Sequence, residues 1–392
     1  MSEILKLVEK HDEYRAGTLN LQASENVLSP DVRKALASDL GSRYSLVLND
    51  HDAYGGTRYT QEILEKTMEL TAKVYRAKYA EVRPTGGHIA AQVILLSLMQ
   101  RKRNLLSIPE KYGGYTGYQS GYLPQMFGVQ NYDIPFNQET QEVDLEKTEK
   151  AMKSSNPALM VLGQSFFLKH YDLKPLRELS DKYDCTLAYD GSHVMGLIAG
   201  GAFQQDALNY CDVLFGSTHK TFFGPQGGII LSNDEDLMNR FRKNLTWRTM
   251  DNFHPSRVAA LGVAMEEMIN HGNEYAHWVV KNSRSLGKLL SEGDVKPLYA
   301  PWYSETHQLG LSQKSLENKS LNFRKFSELL EKNRIIIDRE GRVGTAEITR
   351  MGVTNMEKVA GFINRASAGE NVSKEVEDYV SGLKMTYWGE PQ

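Results

Sequence analysis

The sequence is poor in cysteine, which limits the kinds of site it can build. Among 392 residues there are only two cysteines, Cys185 and Cys211, and each lies beside an apolar run. Small buried thiols in a reducing compartment are therefore expected rather than a disulfide or a metal pair. No group of histidines and cysteines has zinc-like spacing. We expect a cytoplasmic protein without a catalytic metal.

Long hydrophobic runs and an excess of one charge are also lacking. No apolar stretch approaches the length of a membrane span, and charges throughout the N-terminal region predict no secretory signal. The formal net charge of -3 predicts no attraction to nucleic acid or to a membrane surface. No G-x-G-x-x-G follows a first strand and no G-K-[ST] occurs, which disfavours a nucleotide-dependent enzyme.

Between residues 60 and 233, helical patterns alternate with short apolar runs. The strand candidates are bounded by polar residues or glycine, at 158–162, 186–189, 212–216 and 228–231. Helix candidates lie at 3–14, 62–79, 88–99 and 173–183. Such short runs are typical of strands buried on both faces of a mostly parallel sheet. The alternation predicts an α/β large domain with right-handed crossovers.

The pattern changes from about residue 255. A long helix predicted from 256 to at least 270 leads into a segment with fewer sheet signals, where 335–338 and 347–349 are the strand candidates. We therefore predict three parts. They are an N-terminal helix and arm (1–30), a large domain (31–255) and a smaller C-terminal α/β domain (256–392).

Two of the strand candidates are followed by charged side chains. Asp190 follows the candidate at 186–189, and Lys220, preceded by His219, follows the candidate at 212–216. Ligands of open α/β sheets collect where strands end. A lysine there can form a Schiff base with pyridoxal 5′-phosphate (PLP), while a carboxylate pairs with the pyridine nitrogen and keeps the ring an electron sink. Alone, each residue would be read as a loop cap or a surface charge; together they favour PLP chemistry.

Two glycine-rich segments are candidates for binding anions. Gly86 and Gly87 precede a helical pattern, so unpaired N–H groups of its first turn can receive a phosphate, although an ordinary loop has the same composition. Arg342, between glycines, can bind a carboxylate through a bidentate pair. A surface arginine in a hairpin is equally consistent with the sequence.

Read in order, these segments resemble serine hydroxymethyltransferase (glycine hydroxymethyltransferase), over roughly residues 20–355. The matching strings are L-Q-A-S-E-N from Leu21, Y-G-G at Tyr54, D-G-S-H-V-M-G-L from Asp190, S-T-H-K-T-F-F-G-P-Q-G-G from Ser217 and R-V-G-T-A-E-I-T-R from Arg342. The resemblance implies a PLP enzyme of the aspartate-aminotransferase fold type (fold type I). This fold has a three-layer large domain with a mostly parallel seven-stranded sheet and a smaller α/β C-terminal domain. It also implies a role in amino-acid and one-carbon metabolism.

The resemblance implies specific roles at the cofactor ring. Lys220 matches the Schiff-base lysine and Asp190 the partner of the pyridine nitrogen. His193 would lie beside the ring, and Ser165 would hydrogen-bond on the side of the ring hydroxyl. Tyr115 stands where the family has a histidine that stacks on the cofactor, and an aromatic ring preserves stacking.

Further cofactor contacts are implied around the phosphate and the lysine. Gly86, Gly87 and His88 occupy the phosphate turn, although the family's two serines are absent from it. Ser217 lies in the lysine segment and is counted with the cofactor contacts. His219, in the same segment, is counted with the catalytic residues.

The resemblance also assigns the substrate and the neighbouring subunit. Ser24 and Arg342 match substrate-binding residues, the arginine by gripping the substrate carboxylate. Tyr44 and Tyr54 match tyrosines that reach a neighbouring subunit's site, Tyr44 at the cofactor and Tyr54 as a catalytic and substrate residue. A homodimer or larger assembly such as a tetramer, with shared active sites, is implied.

Departures from the family pattern concern the folate rather than the cofactor. The glutamate that handles protons in folate-dependent transfer falls on Leu46, one of two folate-contacting tyrosines on Ala53, and the arginine of G-P-R-G-G on Gln226. The family's Gly-Gly-Gln-Gly-Gly phosphate loop has no counterpart near 249–252. A leucine cannot transfer a proton, and such help is typically worth ~10²–10⁴-fold. The use of tetrahydrofolate therefore stays open.

Three residues of the same loop can carry protons if the chain is threaded differently, namely Asp50, His51 and Asp52. Nothing in the sequence selects one of them.

Three functions stay open. The first is cleavage of a β-hydroxy-amino acid (serine, or a threonine-like or α-methylserine-like compound) to glycine or alanine and an aldehyde. The reaction either uses folate, as in serine/glycine interconversion, or proceeds without it, as in an aldolase or transaldolase. The second is transamination or racemisation with Lys220 as the proton carrier. The third is a non-catalytic relative that binds PLP or a partner protein.

Overall fold

The structure, a computed structural model, describes residues 2–48, 51–99 and 103–387. The chain divides into two compact units: a larger unit of residues 28–274 and a smaller unit of 1–27 together with 275–392. The sequence-based boundaries after residues 30 and 255 stay a prediction.

Seven strands form the sheet of the larger unit. In order across the sheet they are Tyr79–Glu81, Gly228–Ser232, Val213–Ser217, Thr186–Asp190, Leu159–Leu162, Asn104–Ser107 and Gln130–Asp133. Gly228–Ser232 runs antiparallel to both of its neighbours, whereas the other neighbouring strands are parallel. The predicted mostly parallel seven-stranded sheet is thus confirmed, and the four predicted strands lie within one residue of their expected bounds.

Burial explains which strands the sequence revealed. Every residue of Leu159–Leu162, Val213–Ser217 and Gly228–Ser232 is buried, and such strands read as continuous apolar runs. The edge strand Gln130–Asp133 has no buried residue, so no apolar run marks it. It was not predicted from the sequence, and neither were Tyr79–Glu81 and Asn104–Ser107.

Helices of the larger unit surround this sheet. The α-helices are Pro30–Leu36, Arg58–Tyr75, Gly87–Leu98, Leu123–Met126, Leu145–Ser155, Leu173–Lys182, Met195–Ala199 and Glu235–Leu245. The 3-10 helices are Asp39–Ser42, Glu110–Tyr112, Thr116–Tyr118 and Ala207–Asn209. Two short hairpins pair Val47–Leu48 with His51–Asp52 and Phe136–Asn137 with Glu142–Val143. One core lies where Gly87–Leu98 and Glu235–Leu245 meet the sheet through Ile94, Phe241 and Phe215.

The helix predicted over 62–79 is wrong at both ends. The helix begins at Arg58 and ends at Tyr75, because Arg76 adopts the left-handed conformation with φ 54°. The N–H of Ala77 then bonds to the carbonyl of Ala72 and closes the last turn. Tyr79 accordingly begins an edge strand.

A single long helix, Pro255–Glu292, passes through the division between the units at residue 274. It includes the helix predicted from residue 256. The smaller unit contains the helices Glu3–Ala16, Gln313–Glu317, Phe323–Lys332, Ala346–Arg350, Glu357–Ser367 and Ser373–Ser381. Its strands pair Leu19–Asn20 with Ile335–Ile336 in parallel and Gln308–Gly310 with Arg342–Gly344 antiparallel.

The strand predicted over 347–349 is wrong, because these residues lie in the helix Ala346–Arg350. β-branched residues such as Ile348 and Thr349 favour a strand by propensity alone. In the structure the N–H of Thr349 bonds to the carbonyl of Thr345, and the Thr349 hydroxyl donates to the same carbonyl at 2.7 Å. Local hydrogen bonding therefore overrides the propensity.

Across 2–48, 51–99 and 103–387, none of the helices is both long and apolar enough to cross a membrane.

Candidate active site

Asp190 and the lysine segment leave the sheet at the same edge. Asp190 is the last residue of its strand, and Ser217 ends the adjacent parallel strand, with Asp190 opposite Phe215. Since parallel strands point the same way, their carboxyl ends share one edge of the sheet. Lys220, half-buried, lies three residues after Ser217 in the loop beyond that edge. The structure thus brings the segments of the predicted acid and the predicted lysine to neighbouring positions.

Hydrogen bonds connect the loop after Asp190 to the lysine segment. The N–H of Ser217 donates to Ser192 Oγ at 3.1 Å. The hydroxyl of Thr221, the residue after Lys220, donates to the carbonyl of His193 at 2.8 Å. His193 and Ser217 are buried. These contacts fix the backbone on both sides of Lys220 against the backbone that follows Asp190.

The Asp190 carboxylate is 9% exposed and accepts three hydrogen bonds. Oδ1 accepts from the N–H and the hydroxyl of Ser192, at 3.0 and 2.6 Å. Oδ2 accepts from the Tyr118 hydroxyl at 2.7 Å. Beside it, Gly163 has φ 154°, and a Cβ there would lie 2.7 Å from the Asp190 Cβ, so only glycine fits. Sequence reasoning missed Tyr118; its one signal is an aromatic residue three positions after Tyr115.

Three aromatic side chains lie together beside this carboxylate. The Tyr115 and Tyr118 rings meet edge to face, with centroids 5.3 Å apart and an interplanar angle of 82°. The Tyr115 hydroxyl lies 2.9 Å from Nδ1 of His88. Burial, and then the negative charge of Asp190, raise the pKa of Tyr115. Tyr115 is therefore a neutral, half-buried ring held from two sides, as a stacking partner requires.

The predicted phosphate turn opens the helix Gly87–Leu98. Gly86 is the N-cap and no side chain caps the helix there, which leaves first-turn N–H groups for an anion. A Cβ on Gly87 would lie 2.9 Å from the Ser217 backbone nitrogen. The glycine thus lets the turn approach the strand that precedes Lys220. The role of Gly86, Gly87 and His88 toward a phosphate stays a prediction.

Arg257, which sequence reasoning missed, lies behind this turn. It is buried, and its Nη2 donates to the carbonyls of Val82, Arg83 and Phe253 at 3.0, 2.9 and 3.1 Å. Burial lowers the pKa of Arg257 to about 10. The guanidinium therefore supports the backbone that leads into the turn. A single arginine in the apolar pattern at the start of a helix was the only signal in the sequence.

Two further predicted residues of the larger unit are His219, expected to be catalytic, and Ser165, expected at the cofactor. Burial, and then the positive charge of Lys220, lower the pKa of His219 to about 4, so the ring is neutral at neutral pH. Within the described part of the chain its buried Nδ1 has no hydrogen-bond partner. The N–H of Ser165 bonds to the carbonyl of Gly113 at 2.6 Å, which fixes the loop after the strand Leu159–Leu162.

This edge of the sheet fits PLP. The edge offers the uncapped helix start at Gly87 for a phosphate, the Tyr115 ring for stacking, a buried acid for a ring nitrogen and a lysine segment for an aldehyde. Among the described residues, the buried Nδ1 of His219 has no partner and is left for a further group.

The hairpin from Tyr44 to Tyr54 has a different character. The carboxylate of Asp52 accepts from the hydroxyl of Ser45, from the N–H of Leu46 at 3.2 Å and from the N–H of Tyr54 at 2.9 Å. Leu46, on which the family's glutamate falls, is 4% exposed. Asp52 is thus committed to folding the hairpin, and Leu46 is part of its packing.

This loop has two other residues that can carry a proton, His51 and Asp50. His51 is exposed, and Asp50 lies outside the described residues.

Tyr44 and Tyr54 are partly exposed on the larger unit. Their ring centroids are 4.8 Å apart, with the planes tilted by 55°. The Tyr44 hydroxyl donates to Asp251 at 2.9 Å, and this bond, followed by burial, raises the pKa of Tyr44. The two rings form one exposed aromatic patch. Neither ring donates to the Asp190 carboxylate, whose donors among the described residues are Tyr118 and Ser192.

Ser24 and Arg342 belong to the smaller unit. The Arg342 guanidinium pairs with Asp338, and its backbone N–H donates to the same carboxylate at 2.9 Å. In the same strand the N–H of Gly344 bonds to the carbonyl of Leu21 at 2.7 Å. The arm that carries the half-buried Ser24 thus lies beside the strand of Arg342. Their roles toward a substrate stay predictions.

Comparisons with known proteins agree with this arrangement. The family model described as serine hydroxymethyltransferase matches residues 1–363. The serine hydroxymethyltransferases of Methanobrevibacter smithii and Methanothermobacter marburgensis are 32% and 33% identical to the chain. Each match covers 98% of this chain, with 95% and 94% of the respective relative. Among solved structures, L-threonine transaldolase from Pseudomonas fluorescens superposes with a TM-score of 0.84 at 25% identity, covering 98% of this chain and 92% of that one.

Proposed function

The chain belongs to the serine hydroxymethyltransferase family of fold type I PLP-dependent enzymes, and within it we propose that this protein cleaves or exchanges the Cα–Cβ bond of a β-hydroxy-amino acid without requiring folate. The observation that carries the proposal is the burial of Leu46 at the position of the family's proton-handling glutamate, together with the commitment of Asp52 to the hairpin. Neither side chain is placed to serve a folate-dependent transfer.

The sheet edge supports the cofactor half of the proposal. Bound as a Schiff base to an amine, PLP supplies an electron sink for the pair released when a bond at the α-carbon breaks. Lys220 is proposed to hold the cofactor and Asp190 to keep its ring nitrogen protonated. Tyr115 and His193 are proposed to flank the ring. Gly86, Gly87 and His88 are proposed to hold the phosphate.

Aldol cleavage also needs a group that accepts the proton of the β-hydroxyl. His219 is neutral at neutral pH, because burial and Lys220 lower its pKa to about 4, so it is in the form that accepts a proton. Tyr54 is the second candidate, on the resemblance alone. Ser24 and Arg342 are assigned to the substrate carboxylate on the same ground, and Ser165, Ser217 and Tyr44 to the cofactor.

The substrate is proposed to be threonine-like. The likeness to an L-threonine transaldolase supports a reaction in which the glycine portion of the substrate is released or passed to a second aldehyde. Serine is the competing substrate, since curated relatives at 32–33% identity are serine hydroxymethyltransferases.

The test is product analysis of the PLP-loaded protein with L-threonine and with L-serine, each with and without tetrahydrofolate. We expect glycine and the matching aldehyde to form without folate, and tetrahydrofolate to change the rate little. Turnover of serine that requires tetrahydrofolate would overturn the proposal in favour of ordinary hydroxymethyl transfer, and a keto acid or an inverted amino acid as the product would overturn it in favour of the other PLP reactions.

Lys220→Ala is the matching loss-of-function variant. It should lose both the visible absorbance of the lysine-bound cofactor and turnover, because the amine is the attachment point. Lys150→Ala, which removes an exposed lysine of the helix Leu145–Ser155, is its control and should retain both.

A homodimer is proposed for the assembly. Exposed aromatic side chains on the larger unit, including Tyr44, Tyr54, Tyr59 and Trp247, support an interface, because aromatic residues are enriched there. Light scattering of the PLP-loaded protein should give a dimer or a tetramer. A monomer at micromolar concentration would contradict the proposal.

A cytoplasmic location is proposed because both cysteines are buried thiols outside any disulfide, as suits a reducing compartment. Cell fractionation with an antibody to the protein tests it.

A further inference from the structure

The carboxylate of Asp190 has a limited number of acceptor positions. An ionised carboxylate offers about four lone-pair sites on its two oxygens. Ser192 occupies two of them on Oδ1 through its N–H and its hydroxyl, and Tyr118 occupies one on Oδ2. One site on Oδ2 is left. A pyridine N–H that reaches this carboxylate therefore shares Oδ2 with the Tyr118 hydroxyl.

Tyr118 is suited to define that remaining site. It is 1% exposed, and its bond to Oδ2 is 2.7 Å long. Burial first, and then Asp190, raise the pKa of Tyr118 well above its ordinary value. The hydroxyl thus keeps its proton over the working pH range and acts only as a donor toward the carboxylate.

Ser192 alone would hold the carboxylate less firmly. Its two donors come from a residue two positions along the same loop and both approach Oδ1. The terminal torsion of an aspartate is intrinsically broad, so a second anchor on Oδ2 is needed to fix the carboxylate plane. Tyr118 supplies it from the separate segment Thr116–Tyr118.

The same side chain also touches the ring proposed to stack on the cofactor. The edge-to-face contact between Tyr118 and Tyr115 connects the partner of the ring nitrogen to the wall beside the ring. A shift of Tyr118 would therefore move both groups.

We propose that Tyr118 is a positioning residue for the cofactor. Its hydroxyl orients Asp190 so that one acceptor site on Oδ2 faces the pyridine nitrogen, and its ring supports Tyr115. This inference rests on the proposed function in one respect only, namely that PLP binds with its ring nitrogen at Asp190.

The test compares Tyr118→Phe with Tyr189→Phe. Tyr189 is equally buried, and its hydroxyl donates at the same 2.7 Å to the side-chain oxygen of Gln204, so the control loses a similar buried hydrogen bond without touching a carboxylate. Three properties are measured: the melting temperature of the cofactor-free protein, the affinity for PLP from the visible absorbance, and the pH dependence of that absorbance.

Tyr118→Phe should weaken PLP binding ~10-fold, the effect of losing one hydrogen bond to a charged group, and should shift the pH profile of the visible band. Tyr118→Phe and Tyr189→Phe should lower the melting temperature of the cofactor-free protein by similar amounts, because each loses one hydrogen bond. Tyr189→Phe should leave the PLP affinity and the pH dependence of the visible absorbance at wild-type values. The inference would be overturned if the PLP affinity and the pH profile of Tyr118→Phe match those of wild type. It would also be overturned if these two properties change equally in both variants.

A second variant covers the case in which Tyr118→Phe does not fold. A fluorinated tyrosine at position 118 keeps the ring and the hydroxyl but makes the hydroxyl more acidic, so the pH profile of the visible band should still shift; an unchanged profile would overturn the inference. Wild-type protein that fails to develop the band with PLP would overturn the proposed function together with this inference. Failure confined to the position-118 variants would overturn this inference alone.

Discussion

Two carboxylates of the larger unit, Asp190 and Asp52, each accept three hydrogen bonds, yet the surroundings of the two differ. The donors to Asp52 are Ser45, Leu46 and Tyr54, all within seven residues of it along the chain. Asp190 is held by its neighbour Ser192 and by Tyr118, 72 residues away. The donors close in sequence hold the turn around Asp52. The distant donor Tyr118 instead joins a separate segment of the chain to Asp190 at the end of its strand.

Under the proposed function, the cofactor chemistry lies at the sheet edge, and the hairpin lacks the proton carrier of folate-dependent transfer. The sheet edge retains a buried acid, a lysine segment and an uncapped helix start. The hairpin has a buried leucine and a carboxylate that is already occupied. The proposal therefore separates the cofactor site from the proton carrier of one particular co-substrate.

The strongest test of the comparison is Asp190→Asn. The amide keeps the shape but removes the charge that holds the ring nitrogen protonated, so kcat should fall by ~10²–10³-fold, the usual cost of removing one such electrostatic interaction. Steady-state kinetics with L-threonine measure it. Asp212→Asn is the control, since Asp212 accepts from Arg177 and from the Leu187 N–H before its strand begins. Equal losses in both variants would contradict the assignment.

Leu46→Ala should act on stability rather than on chemistry. Truncating a buried leucine typically costs ~2–5 kcal/mol, so the free energy of unfolding in urea should fall while kcat changes little. Leu46→Met, which conserves volume, should behave as wild type. A large loss of kcat at unchanged stability would show that the hairpin still takes part in the reaction.

Asp52→Ala should lower the free energy of unfolding by less than Leu46→Ala does. It leaves the hydroxyl of Ser45 and the N–H groups of Leu46 and Tyr54 without their acceptor, at ~1–3 kcal/mol for buried unsatisfied donors. Urea denaturation measures the loss, and His51→Ala, at an exposed neighbour, should cost nothing measurable. If Asp52→Asn abolishes turnover and leaves unfolding unchanged, Asp52 is a proton carrier and the contrast between the two carboxylates fails.

The last effect expected is a pH dependence of stability at His219. Its pKa is lowered from 6.5 to about 4 in the folded protein, so the unfolded chain binds the proton first as the pH falls. The stability contributed by neutral His219 is complete above pH 6.5 and is lost as the pH falls toward 4. Melting temperatures of the cofactor-free protein should therefore decline less over this interval in His219→Gln than in wild type. Parallel curves would contradict the burial of this ring.

Much of the sheet, and the position of Asp190 and the lysine segment at one of its edges, could be predicted from the sequence. Strands buried on both faces leave continuous apolar runs, which is why Leu159–Leu162 and Val213–Ser217 were found within one residue. Edge strands such as Gln130–Asp133 leave no such pattern. The helix Ala346–Arg350 was missed for a different reason, since its β-branched residues favour a strand until backbone hydrogen bonds are considered.

The sequence by itself determined that an acid and a lysine follow successive strands, because that information lies in short strings and in the alternation of apolar runs. Only the tertiary structure decided that Tyr118 holds Asp190, that Arg257 supports the turn before Gly86, and that Leu46 is buried. The first two join residues that are 72 and 174 positions apart, and the third depends on burial. Pairing across such distances and the burial of a single loop residue are properties of the folded chain, and no local pattern of residues encodes them.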